Sequence, residues 1–175
     1  NVRIAGSGVN QDGRSASMSA PNGPSQVELL QGLVGQATGG SHKRQCSETH
    51  GTGTALGDPI EVGALYAVFG DGGSGSCLLL GALKSRLGHT EGAAGVMGVM
   101  KVVLVLEQGF SLPNLHLRQA NPTLDLGGFA VATPSGATAV CKLVKQRFLE
   151  SGVSSFGMSG TNAHAALVAS TACSA

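Results

Sequence analysis

Two glycine-rich junctions constrain the fold of this chain more than any other feature of its sequence. The first runs from His50 to Glu61 and the second from Lys84 to Thr90. Each follows a short segment with strand character and precedes a segment whose apolar residues recur at helical spacing. The run Cys77–Leu83 is wholly apolar, as is typical of a strand buried on both faces of a sheet. The sequence therefore predicts an α/β architecture in which helices cover a sheet.

The remaining segments fit the same architecture. Val2–Val9 predicts a strand, Pro24–Ala37 a helix, and Gly152–Ala169 a hairpin that turns through glycines. The first half of a predicted helix over Thr90–Gln108 is rich in glycine and alanine, so we expect another backbone to approach it closely and the helix to be central and buried. The apolar residues of 134–150 match neither the helical nor the strand period.

The first junction has the composition of a ligand-binding loop. Its glycines allow sharp turns and close approach to a ligand, which leaves His50, Thr52 and Thr54 as the interacting groups. Asp58 predicts a helix N-cap, and Glu61 completes a capping box three residues later. A loop that ends on a helix N-terminus is suited to an anion or a carbonyl. The two threonines are equally compatible with a role as turn formers.

The second junction carries Lys84 and His89. Ligands collect at the carboxyl ends of strands in open α/β sheets, so both junctions are predicted to face one site. His89 would lie beside the positive end of a helix capped by Thr90, which disfavours the imidazolium form. A neutral imidazole can donate a hydrogen bond to an oxyanion or an enolate. Lys84 is placed to anchor an orienting network or to balance a carboxylate.

The composition excludes several classes of function. Charged residues make up 12% of the chain, against about 25% in ordinary globular proteins, so we expect another domain or subunit to cover part of the surface. A net charge of +1 and 3% aromatic residues give no support to nucleic-acid binding. The longest apolar segment, Val96–Leu106, is interrupted by Lys101 and is too short to cross a membrane.

The cysteines and the first residue indicate a cytoplasmic piece of a longer protein. The four cysteines have no CxxC spacing, which predicts unpaired thiols in a reducing compartment, with neither a zinc site nor a disulfide framework. The sequence starts at Asn1 without a charged and then apolar leader. We therefore expect the natural protein to have further residues before Asn1.

Four ordered motifs resemble the β-ketoacyl synthase family, specifically the C-terminal half of a ketosynthase domain from a modular polyketide synthase. They are Gly8–Arg14 with Ala20–Pro24, Glu48–Glu61, Lys84–Glu91 and Ser154–His164. The likeness covers nearly the whole chain. It implies that residues 1–169 form this half domain and that residues 170–175 begin a linker or tail.

The resemblance implies a thiolase-like layered fold, with a mixed sheet covered by helices. It also implies a decarboxylative Claisen condensation in polyketide biosynthesis. An acyl chain is held on a cysteine, and a malonyl-type extender arrives on the phosphopantetheine arm of an acyl carrier protein. The domain itself would bind no cofactor. Its partners would be the carrier protein, the N-terminal half of the domain and a second copy in a homodimer.

The resemblance assigns catalytic roles to three residues of the two junctions. His50 and His89 would promote decarboxylation and stabilise the enolate that results. Lys84 would hold the His89 side of the site.

Substrate binding would fall to the first junction and to the closing turn. Thr52 and Thr54 would contact the pantetheine arm. Phe156 and Met158 belong to the closing motif, where a backbone N–H helps to form an oxyanion hole. Met158 stands where many relatives carry phenylalanine or glycine.

The nucleophilic cysteine of the family is expected N-terminal to this sequence. Thr171–Ala175 superficially resembles the motif around it, but Cys173 follows the closing motif and lacks a turn, base or dipole to activate a thiol. The 175 residues alone are therefore expected to be inactive. The alternative function is a non-catalytic thiolase-fold partner or scaffold subunit. The presence of His50, Lys84 and His89 favours the enzyme.

Overall fold

The computed structural model describes residues 1–17, 19–34, 36, 44–70, 77–134, 138–139 and 148–170. These residues form a mixed α/β structure, as the sequence predicts. The strands are β1 (Val2–Gln11), β2 (Cys46–Glu48), β3 (Leu78–Gly81), β4 (Phe110–Ser111), β5 (Val131–Ala132), β6 (Thr138–Ala139), β7 (Phe148–Phe156) and β8 (Thr161–Ser170). The helices are α1 (Gly23–Gln31), α2 (Gly57–Phe69), α3 (Lys84–Leu87) and α4 (Ala94–Gln108), with a 3₁₀ turn over Glu91–Ala93.

Six of the strands form one mixed sheet in the order β1-β8-β7-β2-β3-β5. The β2–β3, β2–β7 and β3–β5 pairs are parallel, whereas β8 runs antiparallel to both β1 and β7. Strands β4 and β6 form a separate antiparallel pair. The parallel centre brings the carboxyl ends of β2 and β3 to the same edge, where both glycine-rich junctions begin.

Strand β3 has apolar side chains on both faces because each face is covered. Leu78 and Leu80 pack with Leu30 of α1 and Leu65 of α2, whereas Leu79 points to the opposite face and packs with α4. Successive side chains of a strand alternate between faces, so a strand buried on both sides must be apolar throughout. Helices α1 and α2 thus cover one face of the sheet and α4 covers the other.

Helix α1 is shorter than the sequence predicts. It ends at Gln31, where the N–H of Gly32 bonds to the carbonyl of Glu28, and a turn follows through Val34. The apolar spacing continues into this turn, which explains the overestimate. Positions 35 and 37 of the predicted helix lie outside the described residues.

Helix α4 lies close to β7, and glycine makes this possible. A β-carbon at Gly98 would lie 2.9 Å from Cγ1 of Val153, and one at Gly95 would lie 3.2 Å from Cβ of Ser155. The expected close approach is therefore confirmed. The expected burial of the helix holds for one face only, because Val96, Met100 and Leu104 are each more than half exposed on the opposite face.

The predicted hairpin is formed by β7 and β8, and its turn is fixed to β1. The N–H of Gly157 bonds to the carbonyl of Thr161 at 2.7 Å, and the N–H of Asp12 bonds to the carbonyl of Gly160 at 2.8 Å. Gly160 has φ +91°, a conformation that favours glycine. Among the described helices, none combines the length and the apolar character that a membrane span requires.

Candidate functional site

His50 follows β2 directly and is held by the end of β7. Its Nδ1 accepts the backbone N–H of Phe156 at 3.3 Å, and the phenylalanine ring lies 5.6 Å from the imidazole between centroids. A nitrogen that accepts a backbone N–H carries no proton of its own. In the neutral ring the proton is therefore on Nε2, which is left as a donor.

Glu61 of α2 fixes the backbone of this loop. Its Oε1 accepts the N–H of His50 at 2.7 Å, and its Oε2 accepts the N–H of Gly51 at 2.9 Å. The predicted capping box is therefore wrong. The loop folds back over α2 through Gly51 and Gly53, which have φ +51° and +74°, and thereby presents donors that lie ten and eleven residues from Glu61.

The start of α2 is capped differently from the prediction. The helix begins at Gly57, and Leu56 at its N-cap position makes no side-chain capping bond. Thr54 instead accepts the N–H of Gly57 through its hydroxyl at 3.0 Å, and Asp58 accepts the N–H of Gly53 at 3.1 Å. Asp58 therefore ties the loop to the helix from within the first turn. Thr54 therefore has a turn-forming role, and it is also exposed.

His89 lies in the second junction, just before the 3₁₀ turn that leads into α4. Its Nδ1 accepts the N–H of Glu91 at 3.1 Å, whereas Thr90, the predicted cap, makes no side-chain capping bond. His89 thus takes the capping role itself. The same argument as for His50 places the proton of the neutral ring on Nε2.

The two histidines form a pair. Their ring centroids are 5.4 Å apart, and the ring planes meet at 82°. Each Nδ1 is used by a backbone N–H, so each neutral ring has one N–H donor left. The predicted convergence of the two junctions on one site is observed in this geometry.

A cavity of about 560 Å³ opens beside this pair. It brings together six of the seven residues singled out in the sequence. They are His50, Thr52, Thr54, His89, Phe156 and Met158. Met158 is 75% exposed in the turn between β7 and β8, and both threonines are exposed.

Lys84 does not line this cavity. It lies half-buried at the start of α3 and lines a second cavity of about 730 Å³, formed with the loop over residues 114–124. Its charge nevertheless acts on the site, since it contributes to the pKa shifts of both His50 and Glu61. The pKa of Lys84 itself is lowered by burial, against the opposing effect of Glu61 and Glu48.

Burial is the main cause of the pKa shifts of His50 and Glu61. It lowers the pKa of His50 to about 4, with additional effects from the charges of Lys84 and His89. His50 is therefore neutral at physiological pH. Burial also raises the pKa of Glu61 to about 7, although the backbone N–H groups of Gly51 and His50 favour its ionised form.

Sequence reasoning missed the part of Glu61 in the site. Its spacing from Asp58 matches a local capping pattern, and no local signal reports a loop that turns back on the helix. Gly51 and Gly53 are the residues that could have indicated the turn. Cys173, which we set aside as a nucleophile, lies outside the described residues.

This chain belongs to the β-ketoacyl synthase family. Residues 2–118 match the family model for the "Beta-ketoacyl synthase, C-terminal domain".

The described fold agrees with that of solved ketosynthases. A ketosynthase from module 6 of the bacillaene synthase of Bacillus subtilis 168 matches 94% of this chain with a TM-score of 0.86 and 34% identity. The oxazolomycin ketosynthase domain OzmH KS7 of Streptomyces albus JA3453 matches 98% with a TM-score of 0.86 and 30% identity. The fold is therefore the thiolase-like α/β fold that the resemblance implies.

The curated relatives include several polyketide synthases. The spectinabilin polyketide synthase system protein NorA' of Streptomyces orinoci is 46% identical over 165 residues, which cover 94% of this chain. The mycoketide-CoA synthase of Mycobacterium tuberculosis is 43% identical over 170 residues, which cover 92% of this chain. This chain spans 4% of the length of each of these proteins and 30% of each of the two ketosynthase chains.

Proposed function

We propose that this chain is the C-terminal half of a ketosynthase domain that performs decarboxylative Claisen condensation in polyketide biosynthesis. Residues 1–169 are the half domain, and residues 170–175 begin a linker. An N-terminal half supplies the cysteine that carries the acyl chain, and an acyl carrier protein delivers a malonyl-type extender on its phosphopantetheine arm. The complete domain acts as a homodimer. Its relatives, which are polyketide synthases and ketosynthases, support this assignment.

The proposal rests on one observation, namely that the two histidines make the same hydrogen bond. Each Nδ1 accepts a backbone N–H, from Phe156 in one case and from Glu91 in the other. The two remaining Nε2–H donors belong to rings 5.4 Å apart. Two N–H donors beside one cavity suit an oxygen on which negative charge develops.

The reaction follows from this arrangement. The bond between the extender's α-carbon and its carboxylate breaks, CO₂ leaves, and the electron pair moves into the thioester to form an enolate. His50 and His89 donate hydrogen bonds to the enolate oxygen. The enolate carbon then attacks the acyl thioester, and the cysteine sulfur leaves as the thiolate. The backbone N–H of Met158 helps to stabilise the oxyanion that forms in this second step.

The other site residues position the reactants. Thr52 and Thr54 contact the pantetheine arm, and Phe156 packs against His50. Lys84 acts through its charge, since it favours the neutral form of His50 and the ionised form of Glu61.

Acyl loading and extender decarboxylation, measured separately in the full-length synthase, test this function. His89→Ala is expected to abolish decarboxylation while cysteine loading is largely retained, because the histidine acts on the extender and not on the thiol. Normal condensation by this variant would refute the assignment. A wild-type chain that loads acyl groups but never condenses them would identify a non-catalytic partner instead.

A further inference from the structure

The cavity beside the two histidines has a wall formed by the first turn of α1, where Gln26 is located. Gln26 lines the cavity and is itself 1% exposed. Its Oε1 is buried and accepts no hydrogen bond from any residue that the structure describes. Buried side-chain polar atoms are satisfied in the large majority of cases. Because Gln26 lines the cavity, a turn of its side chain would bring this unpaired oxygen to a ligand that supplies a donor.

The polar groups next to Gln26 are already engaged. Asp12 Oδ1 accepts the side-chain N–H of Asn162 at 2.7 Å, and the carbonyl of Asp12 accepts the side-chain N–H of Asn22 at 2.8 Å. Asn10 donates to the carbonyl of Ser25 at 2.7 Å. These bonds fix the first turn of α1 to the end of β1. Gln26 is thus held on a turn that is tied to the end of β1.

We propose that Gln26 accepts a hydrogen bond from an amide N–H of the phosphopantetheine arm. This inference rests on the proposed function, which brings a thioester-bound arm to the histidines. The malonyl group offers acceptors only, and a hydrocarbon acyl chain offers no donor. The arm has two secondary amides, each with an N–H, on the thiol side of the thioester. Gln26 therefore recognises the carrier of the extender and not the extender itself.

Replacing N–H by oxygen in the substrate isolates this hydrogen bond. Two extenders are compared in the full-length synthase: malonyl-pantetheine, and its analogue in which an ester oxygen replaces each amide N–H. The readout is the ratio of kcat/KM for CO₂ release from the two extenders. Gln26→Met preserves the length of the side chain and removes the acceptor. It is expected to lower the preference for the amide extender by about three- to tenfold, the effect of one hydrogen bond.

Gln31→Met is the matched control, because Gln31 is an exposed residue at the end of the same helix. It should retain the wild-type preference. An unchanged preference in Gln26→Met would overturn the proposal. So would an equal loss on both extenders, since that result would mean that the partner of Gln26 belongs to the protein.

A binding measurement tests the role of Gln26 independently of the proposed catalytic function. If the wild-type chain decarboxylates neither extender, the function fails, and calorimetry with an unreactive pantetheine thioether decides the role of Gln26. Wild type is expected to bind this thioether about three- to tenfold more tightly than Gln26→Met. Equal affinities would contradict the inference. Gln26→Leu serves as the second variant if thermal melting shows that Gln26→Met is unfolded.

Discussion

The carboxylate of Glu61 accepts the backbone N–H of His50 at 2.7 Å, from a position on the helix that follows the histidine loop. The other oxygen of the same carboxylate accepts the N–H of Gly51. One buried side chain therefore fixes the backbone that carries a catalytic candidate. The orientation of His50 is set from both sides, by Glu61 at its backbone and by Phe156 at its ring.

Glu61→Gln should destabilise the histidine loop. An amide has one oxygen, so its NH₂ group would face one of the two backbone donors. The expected loss in unfolding free energy is about 1–3 kcal/mol, the cost of a buried polar group left without a partner. Chemical denaturation of the full-length chain measures it, with a parallel fall in decarboxylation. Glu28→Gln on the exposed face of α1 is the control, and an equal change in both variants would contradict this role.

The sequence predicts the longer strands and helices and the meeting of the two junctions, because these depend on local spacing and on the topology of parallel strands. It does not predict the short elements α3, β4 and β6. It does not predict the partners of Glu61 or the capping by His89. Both depend on how a loop turns through glycines, which brings together atoms that local patterns treat separately. The same limit applies to α1, whose apolar spacing continues into a turn. Lys84 lies only five residues before His89 in the sequence, yet it lines a different cavity.

Gly160→Ala should weaken the turn that carries Met158. Gly160 has φ +91°, and a β-carbon there would lie 2.8 Å from Oε1 of Gln11 and 3.1 Å from Cβ of Asp12. We expect a loss of about 1–2 kcal/mol in unfolding free energy, together with reduced condensation. Gly63→Ala is the opposite case, because Gly63 lies inside α2 with no atom within 4 Å of the added β-carbon. It should stabilise the chain by about 0.5–1 kcal/mol, and the reverse order in thermal melts would refute this prediction.

The low pKa of His50 predicts how activity depends on pH. Because its pKa is lowered to about 4 from 6.5, His50 remains a neutral donor throughout the range between these values. The decarboxylation rate should therefore show no inflection near pH 6.5 that is caused by His50. Any inflection that wild type shows there should also be present in His50→Gln. The stability contributed by neutral His50 is complete above about pH 6.5 and is lost as the pH falls towards 4. An inflection near pH 6.5 that requires His50 would contradict its burial.

Glu61 should give the opposite dependence of stability on pH. Its pKa rises to about 7 from 4.5, so the folded chain holds a proton that the unfolded chain releases. The contribution of Glu61 to stability should therefore decline as the pH rises from about 4.5 to 7. Chemical denaturation of wild type and Glu61→Gln across this pH range measures the difference in their free energies of unfolding. A difference that is constant with pH would mean that Glu61 keeps an ordinary pKa.

Lys101→Met should be strongly destabilising. Lys101 of α4 and Glu48 of β2 form a buried ion pair, and Glu48 also accepts the N–H of Leu83, just before α3. Loss of one partner of a buried pair costs about 3–5 kcal/mol, because the other charge stays buried. The double variant Lys101→Met/Glu48→Leu removes both charges and should recover part of this loss in denaturant unfolding. No recovery would show that packing, and not the unpaired charge, causes the effect.

We propose that His50 and His89 act together on one thioester oxygen. A double-mutant cycle of CO₂ release from the malonyl extender tests it most directly, with His50→Ala, His89→Ala and the double variant of the full-length synthase. Groups that act as a unit give losses that do not add. We predict that each single variant loses most of the decarboxylation rate and that the double variant is little slower than the slower single one. Losses that multiply in the double variant, or a normal rate in either single variant, would contradict the account.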